Sequence, residues 1–544
     1  TAQGMNAPAP WVPYTRAGCN VGSVATANTI LENTAIDIPT VFGANSPEAQ
    51  EVVSNPNQAF SDFVGIGVHC AAGNGLCSNA NHGRPDLLPD EPGGYSGFNG
   101  LFGNKYVAPQ ISPNGPMTDL NGNVIQSPTG NIGFPGFDGM SASVSLSYVA
   151  AMQEHGVPVT YAYISDAHDN HPNGPAYGPG QAGYVAALKS YDDAFGRFFT
   201  RLANDGINQS NTLFVFTADE GDHFVGGPPS PANCDGVTIP CTYSTIGEVN
   251  ANLTGLLATQ QGITTKFTVH SDSAPNIYLV GNPTPTDPSV RAFEQALGRL
   301  TAVNPITGQS GNVTNFLADP TEMGILHMIT ADPARTPTMT MFADPNYFLF
   351  AGASNCSLPC VTVQPGFAWN HGDVSPDINT TWLGMVGPGI RNLGVDGDVW
   401  SDHTDIRPTM MMLLGLKDDY AHDGRALYEI AYDWAVPQTA LAHRETLLRL
   451  AAAYKQLDAC VGQFGLASLV VATNALETTD SSRYTSLEAQ LSALGSQRDA
   501  TASQMIALLE GATFGGQALN ELQAKALTAQ AQSLIDQMTT LASA

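Results

Sequence analysis

The sequence predicts an α/β protein with a C-terminal helical extension, on three observations. From Ser141 to Leu416, segments with helical periodicity alternate with short apolar runs. Two of those runs, residues 158–164 and 213–216, have strand-like composition and flank one long helix-like segment. From Pro437 onward the chain is rich in Ala, Leu and Gln with almost no Pro, which suits helices packed on one another.

Taken in order, residues 1–140 are rich in Gly, Pro and Asn and carry few periodic segments. Residues 20–33 predict a short helix and residues 62–69 (DFVGIGVH) a strand. Residues 74–139 read as ordered loops that cover one face of a sheet. Residues 141–155 predict a helix ending at Gly156. Residues 158–164 (PVTYAYI) predict a strand, where Pro158 is tolerated at the first position. Residues 181–204 predict a long helix with Tyr184, Leu188, Tyr191, Phe195, Phe198, Phe199 and Leu202 on one stripe, closed by Asp205-Gly206. The strand at 213–216 follows. Such a strand–helix–strand unit predicts parallel strands that are neighbours or nearly so.

Further on, the pattern predicts helices at 246–261, 289–300 and 405–416 and strands at 266–270, 276–280, 338–342 and 382–386. Helices at 440–457, 484–509 and 519–541, punctuated by Gly511 and Gly515-Gly516, predict a small bundle or hairpin. The expected division is a loop-rich part at 1–140 packing on an α/β core at 141–436, followed by a helical part at 437–544.

With 544 residues the chain is too long for one small core. Charged residues make up only 12%, about half the usual share. The 48 acidic against 20 basic side chains leave a net charge of −28. That surface repels nucleic acid and anionic membranes, but bound cations would still admit a small anionic substrate. No run of about 18 apolar residues suggests a membrane span. The chain starts at Thr1, with its first Met at Met5, and is expected to begin at a processed or trimmed end.

Eight cysteines include three close pairs in loop sequence: Cys70/Cys77, Cys234/Cys241 and Cys356/Cys360. Local staples of this kind fit an oxidising compartment, so a secreted or periplasmic protein is expected. Cys19 and Cys460 are left for one long-range bridge.

Four clusters could carry chemistry. The apolar run at 213–216 ends in Asp219, Glu220, Asp222 and His223. In open α/β sheets, ligands bind beyond the carboxyl ends of strands. Carboxylate oxygens with imidazole suit zinc, manganese or a similar divalent ion. The same residues read equally as a strand followed by a polar turn. The strand at 158–164 runs into Asp166, His168, Asp169 and His171, against the alternative of a polar loop with a helix cap. The third cluster is Trp369, Asn370, His371, Gly372 and Asp373. The fourth, Asp402, His403, Thr404 and Asp405, opens a helix, where Asp and Thr are also ordinary caps. The other histidines read as core or surface residues.

In this order the clusters resemble motifs of the alkaline phosphatase superfamily, in particular its phosphodiesterase/nucleotide pyrophosphatase and secreted phosphoesterase branches. Asp166, His171 and Gly174-Pro175 resemble its Asp-x(n)-His-x-x-Gly-Pro motif, although His171 lies five positions after the Asp rather than four, which leaves His168 as a rival. Residues 217–221 (TADEG) resemble Ser-Asp-His-Gly, with Glu220 in place of the His. His371-Gly372 resembles the late His ligand. Residues 405–409 (DIRPT) with Leu413, Leu414 and Gly415 resemble the Asp-Ile-x-Pro-Thr helix.

The resemblance covers about residues 140–420. It implies a three-layer sandwich with a mixed, mostly parallel central sheet. It also implies two divalent ions, usually zinc, with manganese or calcium as alternatives. The reaction it implies is hydrolysis of a phosphomonoester or phosphodiester through a covalent Ser or Thr intermediate. Asp166, His171 and His371 would hold one ion, and Asp219 with Glu220 or His223 the other. His168, Asp222 and His403 would support or substitute for them.

The family's early Asp ligand and nucleophile have no counterpart in residues 1–140, where Asp37, Asp62, Thr29, Thr40 and Ser61 have poor contexts. The expected partners are therefore a small phosphate ester and an N-terminal fragment of a longer precursor, with self-association through the helical tail. The rival expectation is a non-catalytic extracellular surface, assembly or binding protein on the same fold. A structural calcium protein is the third reading, and the imidazoles oppose it.

Overall fold

The computed structural model describes residues 9–87, 97–170, 174–330, 332–356, 360–417 and 421–544. It is mixed α/β with a helical C-terminal region. The chain divides into two compact units.

The first unit comprises Thr1–Pro172, Gly180–Thr212 and Leu416–Ala421. Its sheet runs Arg84–Pro85, Asn99–Phe102, Ile66–His69, Val21–Val24, Val159–Ala162. The first three ladders are antiparallel and the last is parallel. The helix expected at 20–33 is replaced by the strand Val21–Val24, every residue of which is buried. Gly22 lies against the helix Ala142–Glu154, so closely that an added Cβ would fall 2.4 Å from Met152 Sδ. Tertiary packing overrides a weak local helical pattern here. His69 is a core residue, as expected: Nδ1 contacts Asp86 at 2.8 Å, Nε2 contacts the Thr29 carbonyl at 2.8 Å, and the ring stacks 3.7 Å from Trp11.

The second unit comprises Asn173–Pro179, Leu213–Gly415 and His422–Ala544. One antiparallel sheet runs Thr314–Ala318, Met339–Ala343, Asn276–Leu279, Phe267–His270. In another, Glu248–Asn252 lies between Tyr347–Phe350, parallel to it, and Val361–Gln364, antiparallel. Phe214–Thr217 pairs antiparallel with Leu383–Val386, and His223–Phe224 with Trp369–Asn370.

The expected large, mostly parallel central sheet is therefore not what the ladders describe. Among the described residues only two ladders run parallel. Several connections are too short for anything else: residues 271–275 join two adjacent strands, whereas a parallel crossover needs about a dozen residues or more. The strands Val159–Ala162 and Phe214–Thr217, expected as parallel neighbours, belong to different sheets.

The C-terminal region holds the long helices Arg444–Asp458, Gln463–Glu477, Ser481–Thr513 and Glu521–Ala542. Gln463–Glu477 is absent from the sequence expectation. It is buried around most of its circumference, so it shows no amphipathic stripe to detect. The stretch Arg444–Glu477 is long and apolar enough by composition to cross a membrane, but 61% of its most apolar window is buried inside the protein. Its residues pack with those of the α/β part: Leu447, Leu450 and Tyr454 share one core with Met412 and Tyr428.

Three disulfides link Cys70–Cys77, Cys234–Cys241 and Cys356–Cys360. Cys19, in the first unit, and Cys460, in the second, are free thiols.

Candidate functional site

The strand Phe214–Thr217 delivers the turn that holds Asp219 and Glu220. Glu220 meets two groups of the 371–372 segment. Its Oε1 lies 3.2 Å from His371 Nδ1, and its Oε2 accepts from the Gly372 amide at 2.9 Å. Gly372 has a φ of 75°, a left-handed conformation that glycine adopts without strain. An added Cβ there would also fall 2.8 Å from Asp272 Oδ2. Burial raises the Glu220 carboxyl above its ordinary value, and the charge of His371 works against that shift. Asp219 and Asp222 add to the rise as nearby negative charges.

His223 is placed by its short ladder with Trp369–Asn370. Its Nδ1 lies 2.6 Å from Asp377 Oδ2, and its Nε2 lies 3.2 Å from Asn346 Oδ1. Both ring nitrogens are engaged, so His223 must release one partner before it can ligate an ion. Burial alone would raise the Asp377 carboxyl. Hydrogen bonds from Ser375 and His223, with the charge of His223, outweigh it and hold the carboxyl below its usual range.

More acidic groups line the same region. Asp373 is buried, and burial pushes it up to about 7, helped by the negative charges of Asp272 and Asp344. Burial likewise raises Glu248. Asp373 Oδ2 and Asn370 Oδ1 are buried oxygens without a hydrogen-bond partner among the described residues.

His403 reaches Thr217 Oγ1 at 3.3 Å through its Nε2. Its neighbours are structural. Asp402 accepts from the Thr404 amide at 3.1 Å, a cap, and pairs with the buried Lys455 Nζ at 2.8 Å. Asp405 accepts from the Arg425 amide at 2.8 Å.

The second unit thus brings Glu220 to His371 and places Asp219, Asp222, His223 and His403 on neighbouring turns or ladders of the same unit. Asp166 and His168 belong to the first unit, after its parallel edge strand. Asp166 is exposed and His168 half-buried. His171 lies outside the described residues. Asp377, Asn346, Asp272 and Glu248 were not anticipated. Asp377 follows Ser375-Pro376, which reads as an ordinary helix start, and the others lie on distant segments. The donor types suit a divalent cation. As arranged, however, no three His, Cys, Asp or Glu side chains among the described residues are spaced to hold one.

No family profile and no curated protein matches the chain. Two solved structures of phosphonoacetate hydrolase from Sinorhizobium meliloti 1021 overlap with it. The complex with phosphonoformate is 15% identical and the complex with phosphonoacetate 14% identical, each with a TM-score of 0.28. Each overlap covers 47% of this chain and 54% of the other, so the chain spans about half the length of the structures it matches. Overlap at this level carries no assignment.

Proposed function

We propose that this protein is a secreted, metal-dependent hydrolase of phosphate esters. The contact of Glu220 with His371, across 151 positions of sequence, carries the reading. It joins two motifs singled out by residue type and order alone, at the carboxyl end of one strand. A carboxylate and an imidazole held together in this way are the donor pair that a zinc or similar ion takes. The contact with Glu220 argues for moving His371 from the ion expected at Asp166 and His171 to that of Asp219, where His223, once freed from Asp377 or Asn346, completes the donors. Asp166 and His171, with His168 in support, are kept as candidate donors for a separate ion, and Asp222 as support for the donors of its own unit. A bound ion supplies Lewis-acid stabilisation of a phosphoryl group. The protein's own groups hold and orient: whichever of Asp377 and Asn346 His223 retains fixes its ring, and the Gly372 amide fixes the Glu220 carboxylate. The reading keeps residues 141–436 as the catalytic core and assigns no nucleophile. The three disulfides support an oxidising compartment.

Elemental analysis and hydrolysis of p-nitrophenyl phosphate and its diester test the proposal. About two zinc or manganese ions per chain are expected. Glu220→Gln and His371→Ala should each lower turnover by roughly 100-fold and reduce bound metal. An unaltered metal content in both variants overturns the site. Full loading without turnover favours the second reading, a non-catalytic extracellular protein. The double engagement of His223 is the observation on that side.

A further inference from the structure

The second unit encloses four carboxyl groups that the candidate site does not use. Asp319 caps the helix Pro320–Ile325, its Oδ1 accepting from the Thr321 amide at 2.8 Å. Glu322, in the first turn of that helix, accepts from the Ser468 hydroxyl at 2.8 Å. Glu294, on the helix Pro288–Leu297, pairs with Arg291. Glu488 comes from the long helix Ser481–Thr513, and the nearby negative charge of Asp319 raises it. Carboxylates offer one another only acceptors, so buried carboxyl oxygens that face each other pair only where one of them carries a proton. Asp319, Glu294 and Glu322 are each at most 1% exposed. Asp319 Oδ2, Glu294 Oε1, Glu322 Oε2 and Glu488 Oε1 are buried without a donor among the described residues.

Few positive charges face this cluster. Arg291 lies against Glu294 and over the Tyr484 ring, 3.7 Å from its centroid. It also donates to the Ala475 and Leu476 carbonyls at 3.1 Å. Arg498 acts on Glu322 but is itself paired with Asp458 at 2.9 Å. Other polar groups facing the cluster among the described residues include Ser468, Thr321 and the Tyr484 hydroxyl. Four ionised carboxylates would leave most of their charge uncompensated in the interior.

We propose that these four carboxyls form a proton-held clasp, which fastens the helix Ser481–Thr513 to the helices Pro288–Leu297 and Pro320–Ile325 and lets go in mildly alkaline solution. The titrations agree in direction. Burial pushes Glu294 and Glu322 up to about 8, and burial with the Asp319 charge pushes Glu488 up to about 7. Burial raises Asp319 as well. A carboxyl raised on folding binds its proton more tightly in the folded state. Its stabilisation is therefore complete below the ordinary value of 4.5 and is lost as pH rises through about 8.

Hydrogen exchange of the whole chain, followed by mass spectrometry at pH 6 and pH 9 and corrected for intrinsic exchange rates, tests the clasp. Peptides covering residues 288–325 and 481–513 should open at least about tenfold more at pH 9. Glu322→Gln and Glu488→Gln should flatten that dependence, and Glu488, at a half-buried position, is the substitution the fold tolerates better. Protection independent of pH in the unaltered protein overturns the proposal, as does an unchanged slope in Glu488→Gln. Recovery of protection at pH 9 on adding millimolar Ca²⁺ alone would assign the cluster to a cation instead.

Discussion

At Gly221 an added Cβ would lie 2.3 Å from the Asp377 carbonyl oxygen and 2.8 Å from that of Ile378. Both obstacles are backbone, and neither can step aside without moving the helix Pro376–Asn379. The Gly221 amide donates to the Ile378 carbonyl at 2.8 Å, so this close approach joins the 219–223 turn to the segment carrying Asp377. Gly221→Ala should therefore pry the turn away, cost about 1–3 kcal/mol in urea unfolding, and free His223 from Asp377. A histidine ring spectrum unchanged by the substitution would contradict this. At this scale the sequence was half legible. Asp219, Glu220 and His223 stood out because an apolar run stops abruptly in front of them. Asp377 did not, because the Asp of a Ser-Pro-Asp start has an ordinary local explanation and its partner is 154 positions away.

Among the elements, the helix Leu253–Gln261 shows what propensity misses. The pattern suggests one helix over 246–261, yet its first part is the strand Glu248–Asn252, paired on both sides. Asn252 sits at the junction and serves both elements. Its Oδ1 accepts from the Gly255 amide at 3.1 Å and the Gly352 amide at 3.0 Å, and its Nδ2 donates to the Ala353 carbonyl at 2.8 Å. A junction defined by partners a hundred positions away is invisible to a local window. Asn252→Ala should cost about 2 kcal/mol, the loss of a cap together with two further buried hydrogen bonds. An unchanged denaturation midpoint would count against the cap. The alternation of helix and strand was legible as a class. Strand direction was not, because it depends on which edges meet rather than on the composition of any one strand.

For the whole molecule, the cysteines make the sharpest statement. Thiol titration under denaturing conditions should find two free groups before reduction, Cys19 and Cys460, and eight after it. Reducing Cys70–Cys77 or Cys234–Cys241, each closing a separation of 7 residues, should remove about 2.5 kcal/mol by loss of the chain constraint. Four free groups before reduction would mean that one bridge does not form in solution. The three local pairings were legible because close spacing in loop sequence leaves little choice. The fate of Cys19 and Cys460 was not, since their pairing depends on tertiary position.

The helix Ser481–Thr513 runs for 33 residues, a rod of about 50 Å. Glu488 lies near its start, and Thr513 at its end contacts the buried Tyr428 hydroxyl at 2.6 Å. Between those two residues the rod spans about 38 Å. Tyr428 follows Leu427, whose amide donates to Thr409 at 2.9 Å, in the helix that starts beside Asp405 and His403. One continuous helix therefore touches the carboxyl cluster near its start and, at its end, the core residue that lies beside the His403 segment. Between them, Leu491, Leu494, Ala502, Met505 and Leu509 are buried in the common core.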